Sequence, residues 1–274
     1  MQTKRTYLVA VDLEGIHGVV GEPNETLTKS RDYPVSTAGA VSEVNTVLKA
    51  LFEGGADHVI VWDNHGKGHN FSPDRLLSFE GRVEYTSPDT PHARMTAFRD
   101  RGIVGMIYLG YHAREGAFGG VLAHTYSSVA IQYYKLDGRA VGEIGIDSRL
   151  AAELGIPSLL VASDDVCCRE AEGEIPGIET VVTKYGKGRN EAILRSEDEV
   201  LSELYEATLR AMKKTPALPS PTFPMTLEAR YTRAERAKDQ IERLSSLGLP
   251  IEYGEDTHIV VCRLRSIEDL RIFM

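Results

Sequence analysis

The chain has 274 residues, 42% apolar and 26% charged, enough for a substantial core in one large domain or a domain with an appendage. Its net charge of −9, with no basic stripe carrying interleaved aromatics, argues against nucleic acid as the main partner. The apolar runs are far too short to span a bilayer, and residues 1–11 lack the apolar region and cleavage pattern of a signal peptide.

Taken in chain order, Thr6–Val11 (TYLVAV) is an unbroken apolar run of the kind buried parallel strands show, and it ends in Asp12-Leu13-Glu14-Gly15. Residues 16–34 form a polar loop with Gly18, Gly21, Pro23 and Pro34, long enough to cover a neighbouring site. Ser36–Glu53 carries Val41, Val44, Val47, Leu48 and Leu51 on one helical face and stops at Gly54-Gly55. His58–Trp62 (HVIVW) is the second strand and runs into Asp63-Asn64-His65-Gly66. A loop over Gly66–Asn70 and a short segment at Asp74–Phe79 follow. Pro91–Arg101 reads as a helix. Met106–Leu109 (MIYL) is the third strand and passes through Gly110 into Tyr111-His112.

Gly119-Gly120-Val121-Leu122-Ala123-His124 reads as a glycine turn delivering a histidine. Ser128–Leu136 has strand character, and Asp137-Gly138 is a turn signal. Gly142–Leu154 is a helix with Glu143 near its start. Ile156–Ala162 is an apolar strand ending in Ser163-Asp164-Asp165, and Thr180–Lys184 is a further strand. Ser196 caps a helix over Glu197–Lys213, whose first turn is acidic. Leu218–Pro224 is a proline-rich linker, followed by a strand, a helix, a strand at Thr257–Leu264 and a short final helix.

Alternating strands and helices over residues 6–184 predict an α/β protein: a three-layer α/β/α arrangement around a mostly parallel sheet. The expected division is a catalytic core at 1–190 and a smaller α+β part at 191–274, either a second domain or a sheet extension. The three cysteines, Cys167, Cys168 and Cys262, offer neither a disulfide framework nor a C-x-x-C zinc site. Buried free thiols in a reducing cytoplasm are expected, with no membrane contact.

Open α/β sheets place their chemistry beyond the carboxyl ends of their strands. Asp12, Glu14, His65 and His112 all stand there, so one shared metal site is expected, with Glu143 as a third carboxylate. Imidazole ligands favour zinc or a similar transition metal over magnesium. Three carboxylates give −3 against +4 for two divalent ions, and a bridging hydroxide would bring the cluster to neutrality. Such a centre polarises a carbonyl and activates its water.

Blander readings stand beside this one. An aspartate after a first parallel strand is often a turn or cap residue, and a lone histidine is usually a core or surface group. His124 fits either a group acting on substrate or a structural histidine bonded to backbone. His17 and His69 are alternative ligands or exposed loop residues, and His58, His92 and His258 take no role. Asp164 and Asp165 could hold an ammonium or a metal, or cap a helix. Tyr185–Arg189 could cradle an anion or be a basic loop. Asp63 is a candidate to orient a ligand histidine.

Val11-Asp12-Leu13-Glu14-Gly15, Asp63-Asn64-His65, Leu109-Gly110-Tyr111-His112-Ala113-Arg114, Ala123-His124-Thr125 and Val141-Gly142-Glu143-Ile144-Gly145 occur in that order. With that spacing the chain resembles the zinc-dependent D-aminopeptidases of the DppA type. The resemblance implies a binuclear zinc peptidase, assembled as a homo-oligomeric ring, that removes N-terminal D-amino acids from short peptides. It implies Asp12, Glu14, His65, His112 and Glu143 as zinc ligands, Asp12 as the bridge, and His124 in the place of the family's catalytic nucleophile. One departure is a segment between His112 and His124 that is a residue longer than the family pattern.

The expected function is therefore a cytoplasmic aminopeptidase using two zinc ions and a metal-activated hydroxide. Two alternatives remain open: a haloacid-dehalogenase-like magnesium phosphatase with Asp12 as nucleophile, and a non-catalytic binder of metal or peptide.

Overall fold

The structure, a computed structural model, describes residues 4–21, 28–87 and 95–274. Its main sheet has β1 (Thr6–Val11) at the centre, flanked by β2 (His58–Asp63) and β4 (Ile103–Leu109). Beyond β2 lies β3 (Val83–Thr86). Beyond β4 come β7 (Ser158–Asp164), β8 (Glu179–Gly188) and β9 (Glu191–Leu194). All pairings are parallel except β8 with β9. The chain leaves β1 toward β2 and β3, then returns to the other side of β1 as β4. This reversal opens a crevice between β1 and β4, where ligand sites form in such sheets.

Alternate side chains of β1 enter two different cores, as strand geometry requires. Tyr7, Val9 and Val11 pack with Val44, Val47, Leu48 and Leu51 of α1 (Tyr33–Glu53) and Leu204 and Ala207 of α4 (Glu197–Ala211). Leu8 and Ala10 belong to the opposite core. That core includes Ile144 and Leu150 of α2 (Glu143–Glu153) and Cys167 and Ala171 of α3 (Asp165–Glu174). Every residue of β1 is buried, so neither face tolerates a polar substitution without cost.

A second, antiparallel sheet completes the molecule in the order β11 (Ile251–Tyr253), β12 (Ile259–Leu264), β10 (Met225–Tyr231), β5 (Ile131–Leu136), β6 (Arg139–Val141). Helices α5 (Ala234–Ser246) and α6 (Ile267–Phe273) pack on it. The parallel region expected over residues 6–184 includes β5; in the structure its hairpin with β6 pairs with β10 instead. The reason is visible in its burial, which alternates where β1 and β7 are buried throughout. Asp137 and Gly138, at φ 47° and 79°, form the tight turn that such a hairpin needs.

Three further expectations changed. The first helix starts at Tyr33 rather than Ser36, with Pro34 in its first turn where the missing N–H costs nothing. Of the helix read at Pro91–Arg101, residues 91–94 lie outside the described residues. The rest forms a single 3-10 turn at Thr96–Phe98 between Met95 and Asp100, both at positive φ, which no α-helix accommodates. Tyr185–Arg189 is largely strand: β8 runs to Gly188 and pairs with β9, and the Gly186 N–H is taken by Asp165, so its backbone is committed to the ladder and to that carboxylate rather than to an anion cradle. Among the described residues no helix is long and apolar enough to cross a membrane.

Candidate metal centre

Parallel register sets the site. Val11 pairs with Asp63 of β2 and with Leu109 of β4, so three strands end level. Asp12, His65 and His112 follow within three residues of those ends. Backbone bonds lock the exits together: Asp12 N–H donates to Leu109 O (2.8 Å), Asn64 N–H to Val11 O (2.8 Å) and Gly15 N–H to Gly110 O (2.7 Å). The approach is close enough to demand glycine. A Cβ on Gly15 would fall 2.0 Å from Tyr111 O, and one on Gly110, at φ 70°, would fall 2.1 Å from Asp12 O. Glu143 arrives from the first turn of α2, on a helix entered from the second sheet.

The side chains converge. His65 Nδ1 lies 2.8 Å from Asp12 Oδ1 and 3.3 Å from Glu14 Oε2. His112 Nε2 lies 3.6 Å from Asp12 Oδ2 and 3.2 Å from Glu143 Oε1. Two groups of three ligand atoms result, Asp12–Glu14–His65 and His112–His124–Glu143, each gathered within 4.8 Å. Asp12 has an oxygen toward each. Tetrahedral zinc ligands at their usual distance from the ion stand roughly 3.3 Å apart, close to the spacing of two of these four contacts, His65–Glu14 and His112–Glu143.

Electrostatics point the same way. Asp12, Glu14, His112 and Glu143 are each 5% exposed or less. Burial first, then repulsion from Glu14, pushes Asp12 up to about 7. Burial would also raise Glu14, but the neighbouring His65 charge holds it well below the usual range. Burial would depress His112; Glu143, Asp12 and Glu14 outweigh it and raise the imidazole to about 10. His65 is raised well above its usual value in the same way, against burial, mainly by Glu14 and Asp12. Without a cation, then, the cluster draws protons onto its imidazoles.

Two buried atoms, His112 Nε2 and Glu14 Oε2, have no hydrogen bond of acceptable geometry. Both face the cluster from fixed positions. His112 Nδ1 is taken by Ala113 O (3.1 Å), which leaves Nε2 as the coordinating nitrogen. Orphaned donor atoms at ligand spacing, in a mixed carboxylate–imidazole set, fit zinc.

His124 sits on the turn predicted from its glycines. Its ring stacks on His112 at 3.8 Å and 12°. Nδ1 lies 2.9 Å from Leu122 O, so Nε2 is the nitrogen left for chemistry. Burial, then the neighbouring His112 charge, lowers its pKa and keeps the ring neutral.

Several sequence candidates are placed elsewhere. His17 Nε2 bonds Arg195 O at 2.9 Å, and the His69 ring lies beside Tyr85; neither enters the two groups. His58 opens β2, His258 Nδ1 meets Tyr231 O, and His92 lies outside the described residues. Asp164 caps α3 through Val166 N–H and Cys167 N–H, and its other oxygen accepts from Val121 N–H (2.8 Å). Asp165 accepts from Gly186 N–H (2.7 Å) and pairs with Arg169. Asp63 meets no ligand imidazole; it accepts from the backbone and side chain of Asn70 and from Tyr85 OH. Through Asn70, which donates to His65 O, it steadies the loop rather than the ring.

Supporting residues escaped the sequence reading. Lys184 is fully buried, and its ammonium donates to Glu14 O (2.7 Å) and Ile16 O (2.8 Å), while Thr183 Oγ1 donates to Gly15 O (2.7 Å). Arg189 brackets the histidine turn, its guanidinium donating to Ala123 O and its carbonyl accepting from Leu122 N–H. A lysine at the end of an apolar strand is the sequence signal for the first, and the second lies in the Tyr185–Arg189 segment, read there as an anion cradle or basic loop rather than as a brace for the histidine turn.

Acids and imidazoles gathered in the crevice of a doubly wound sheet define a metal-dependent hydrolase. A family model described as D-aminopeptidase, peptidase family M55, matches residues 6–246, and the chain belongs to that family. The D-aminopeptidase of Bacillus subtilis (strain 168) is 30% identical over 236 residues, 84% of this chain and 83% of that protein. Among solved structures, the Zn-dependent D-aminopeptidase DppA from Bacillus subtilis, described as a self-compartmentalizing protease, aligns with a TM-score of 0.84 at 26% identity. That alignment covers 98% of this chain and 95% of the other.

Proposed function

We propose that this protein is a zinc-dependent aminopeptidase that removes N-terminal D-amino acids from short peptides. The observation that carries the reading is the pair of ligand groups joined by Asp12 at the mouth of the β1–β4 crevice. We assign Asp12, Glu14 and His65 to one zinc ion and His112 and Glu143 to a second, with Asp12 between them. Zinc there supplies Lewis acidity toward the scissile carbonyl and an acidified water.

The protein's own groups do the rest. Three buried carboxylates hold the negative charge that retains the cations, and their burial keeps the local dielectric low. His124, neutral and stacked on His112, presents Nε2 as the group that passes a proton to the departing amine or stabilises developing charge. In a phosphatase using Asp12, His65 and His112 would have no task, yet both lie against that carboxylate.

Self-association belongs to the same proposal. Tyr185 and Ile193 pair across β8 and β9 with both side chains about half exposed. Phe118 is 98% exposed next to Gly119, whose carbonyl meets Gly186. These exposed apolar side chains suit contact with a second copy of the chain. The three buried free thiols suit a cytoplasmic setting.

The test is hydrolysis of D-Ala-p-nitroanilide and its L enantiomer by protein of measured zinc content and solution mass. The expected result is faster release from the D substrate by an oligomer, lost on chelation and restored by zinc. Zinc-loaded protein that binds peptide without cleaving it would leave a binding protein, and magnesium-dependent hydrolysis of p-nitrophenyl phosphate would favour the phosphatase.

A further inference from the structure

Asp147 lies four residues after Glu143 on α2, on the same face and one turn deeper. It is 0% exposed. A buried carboxylate is costly unless hydrogen bonds compensate it, and here two phenols do so. Tyr111 OH donates to Oδ2 (2.9 Å) and Tyr126 OH to Oδ1 (3.2 Å). Asn64 Nδ2 in turn donates to Tyr111 OH (2.7 Å). Each of these partners adjoins a site residue: Asn64 precedes His65, Tyr111 precedes His112, and Tyr126 is two residues past His124. Tyr126 also links Asp147 to Glu143, its backbone N–H donating to Glu143 Oε1 at 2.7 Å.

Backbone strain gives an independent sign that this network holds something in place. Leu122 (φ 51°) and Tyr126 (φ 56°) both occupy the left-handed region, one on each side of His124. Non-glycine residues stay there only where surrounding contacts over-determine them. The Tyr126 bonds to Asp147 and Glu143 are such contacts. At the other end of the turn, the Leu122 N–H bond to Arg189 O and the Leu122 O contact with His124 Nδ1 are others.

We propose that Asp147 is a positioning residue that fixes the spacing of the segments bearing His65, His112, His124 and Glu143, acting through Asn64, Tyr111 and Tyr126. It touches neither substrate nor metal. The proposal rests on the zinc reading above, and it concerns how tightly the cations are held and how well the turn is aimed.

Asp147→Asn is nearly isosteric but presents an amide N–H₂ where one phenol needs an acceptor. Zinc affinity, measured by chelator competition, should fall about 10–100-fold. The kcat should fall with little change in KM, while the metal-free variant keeps a cooperative thermal transition. Tyr126→Phe should reproduce part of the loss, and the double variant should lose less than the product of the single losses, because both changes break one bond. If wild-type protein binds zinc and Asp147→Asn matches it within twofold in affinity and kcat, the hub is overturned while the zinc reading stands. Wild-type protein that takes up no zinc overturns both.

Discussion

Replacing His112 with alanine will remove zinc and peptidase activity together. His112 Nε2 stands 3.2 Å from Glu143 and 3.6 Å from Asp12, and its other nitrogen is committed to Ala113 O. The affinity loss should exceed the roughly 10–100-fold that removal of a supporting partner costs, since a coordinating atom itself disappears. His65→Ala should act alike from the other side of Asp12. Zinc analysis of the purified variants checks this; unchanged content in both would defeat the ligand assignment.

The same cluster predicts a pH dependence with a definite sign. His112 is raised to about 10 in the metal-free protein, so at neutral pH its ring carries a proton that zinc must displace. Zinc uptake at pH 7 therefore releases protons, and apparent affinity climbs as pH rises toward 10. Calorimetry in buffers of different ionisation enthalpy reads the proton count directly.

His124→Gln will separate chemistry from metal binding. The His112 and His124 rings are stacked 3.8 Å apart and nearly parallel, so their nitrogens lie in parallel planes rather than facing one another. His124 is thus placed to serve the reaction rather than the cation, although it completes a group of three potential ligands. The variant should keep its zinc, hold KM within a few-fold, and lose about 10²–10⁴-fold in kcat, the range for removal of a proton-transfer group. Loss of a zinc ion along with the activity would move His124 into the ligand set.

The fold and the site were legible to different depths. β1, β2 and β4 could be read because buried parallel strands are continuous apolar runs, and polar residues at their ends stand out. Asp12, Glu14, His65 and His112 stand out as candidates in that way, and Glu143 by its place at a helix start. The β5–β6 hairpin was harder. Its length and turn resemble those of any strand pair, and only partial burial reveals which sheet it joins. The supporting groups were harder still. Asp147, Lys184 and Arg189 act on phenols and carbonyls of segments 21 to 170 residues away. No local pattern encodes such contacts. Asp63 and Asp164 show the converse: strand-end acids that looked chemical serve a loop and a helix cap.

The most direct test is a crystal structure of zinc-loaded protein with anomalous data on both sides of the zinc absorption edge. Two peaks are expected, one among Asp12, Glu14 and His65 and one against His112 and Glu143, with Asp12 reaching both. A zinc peak bound by other residues, or none in the β1–β4 crevice of active protein, would contradict the account.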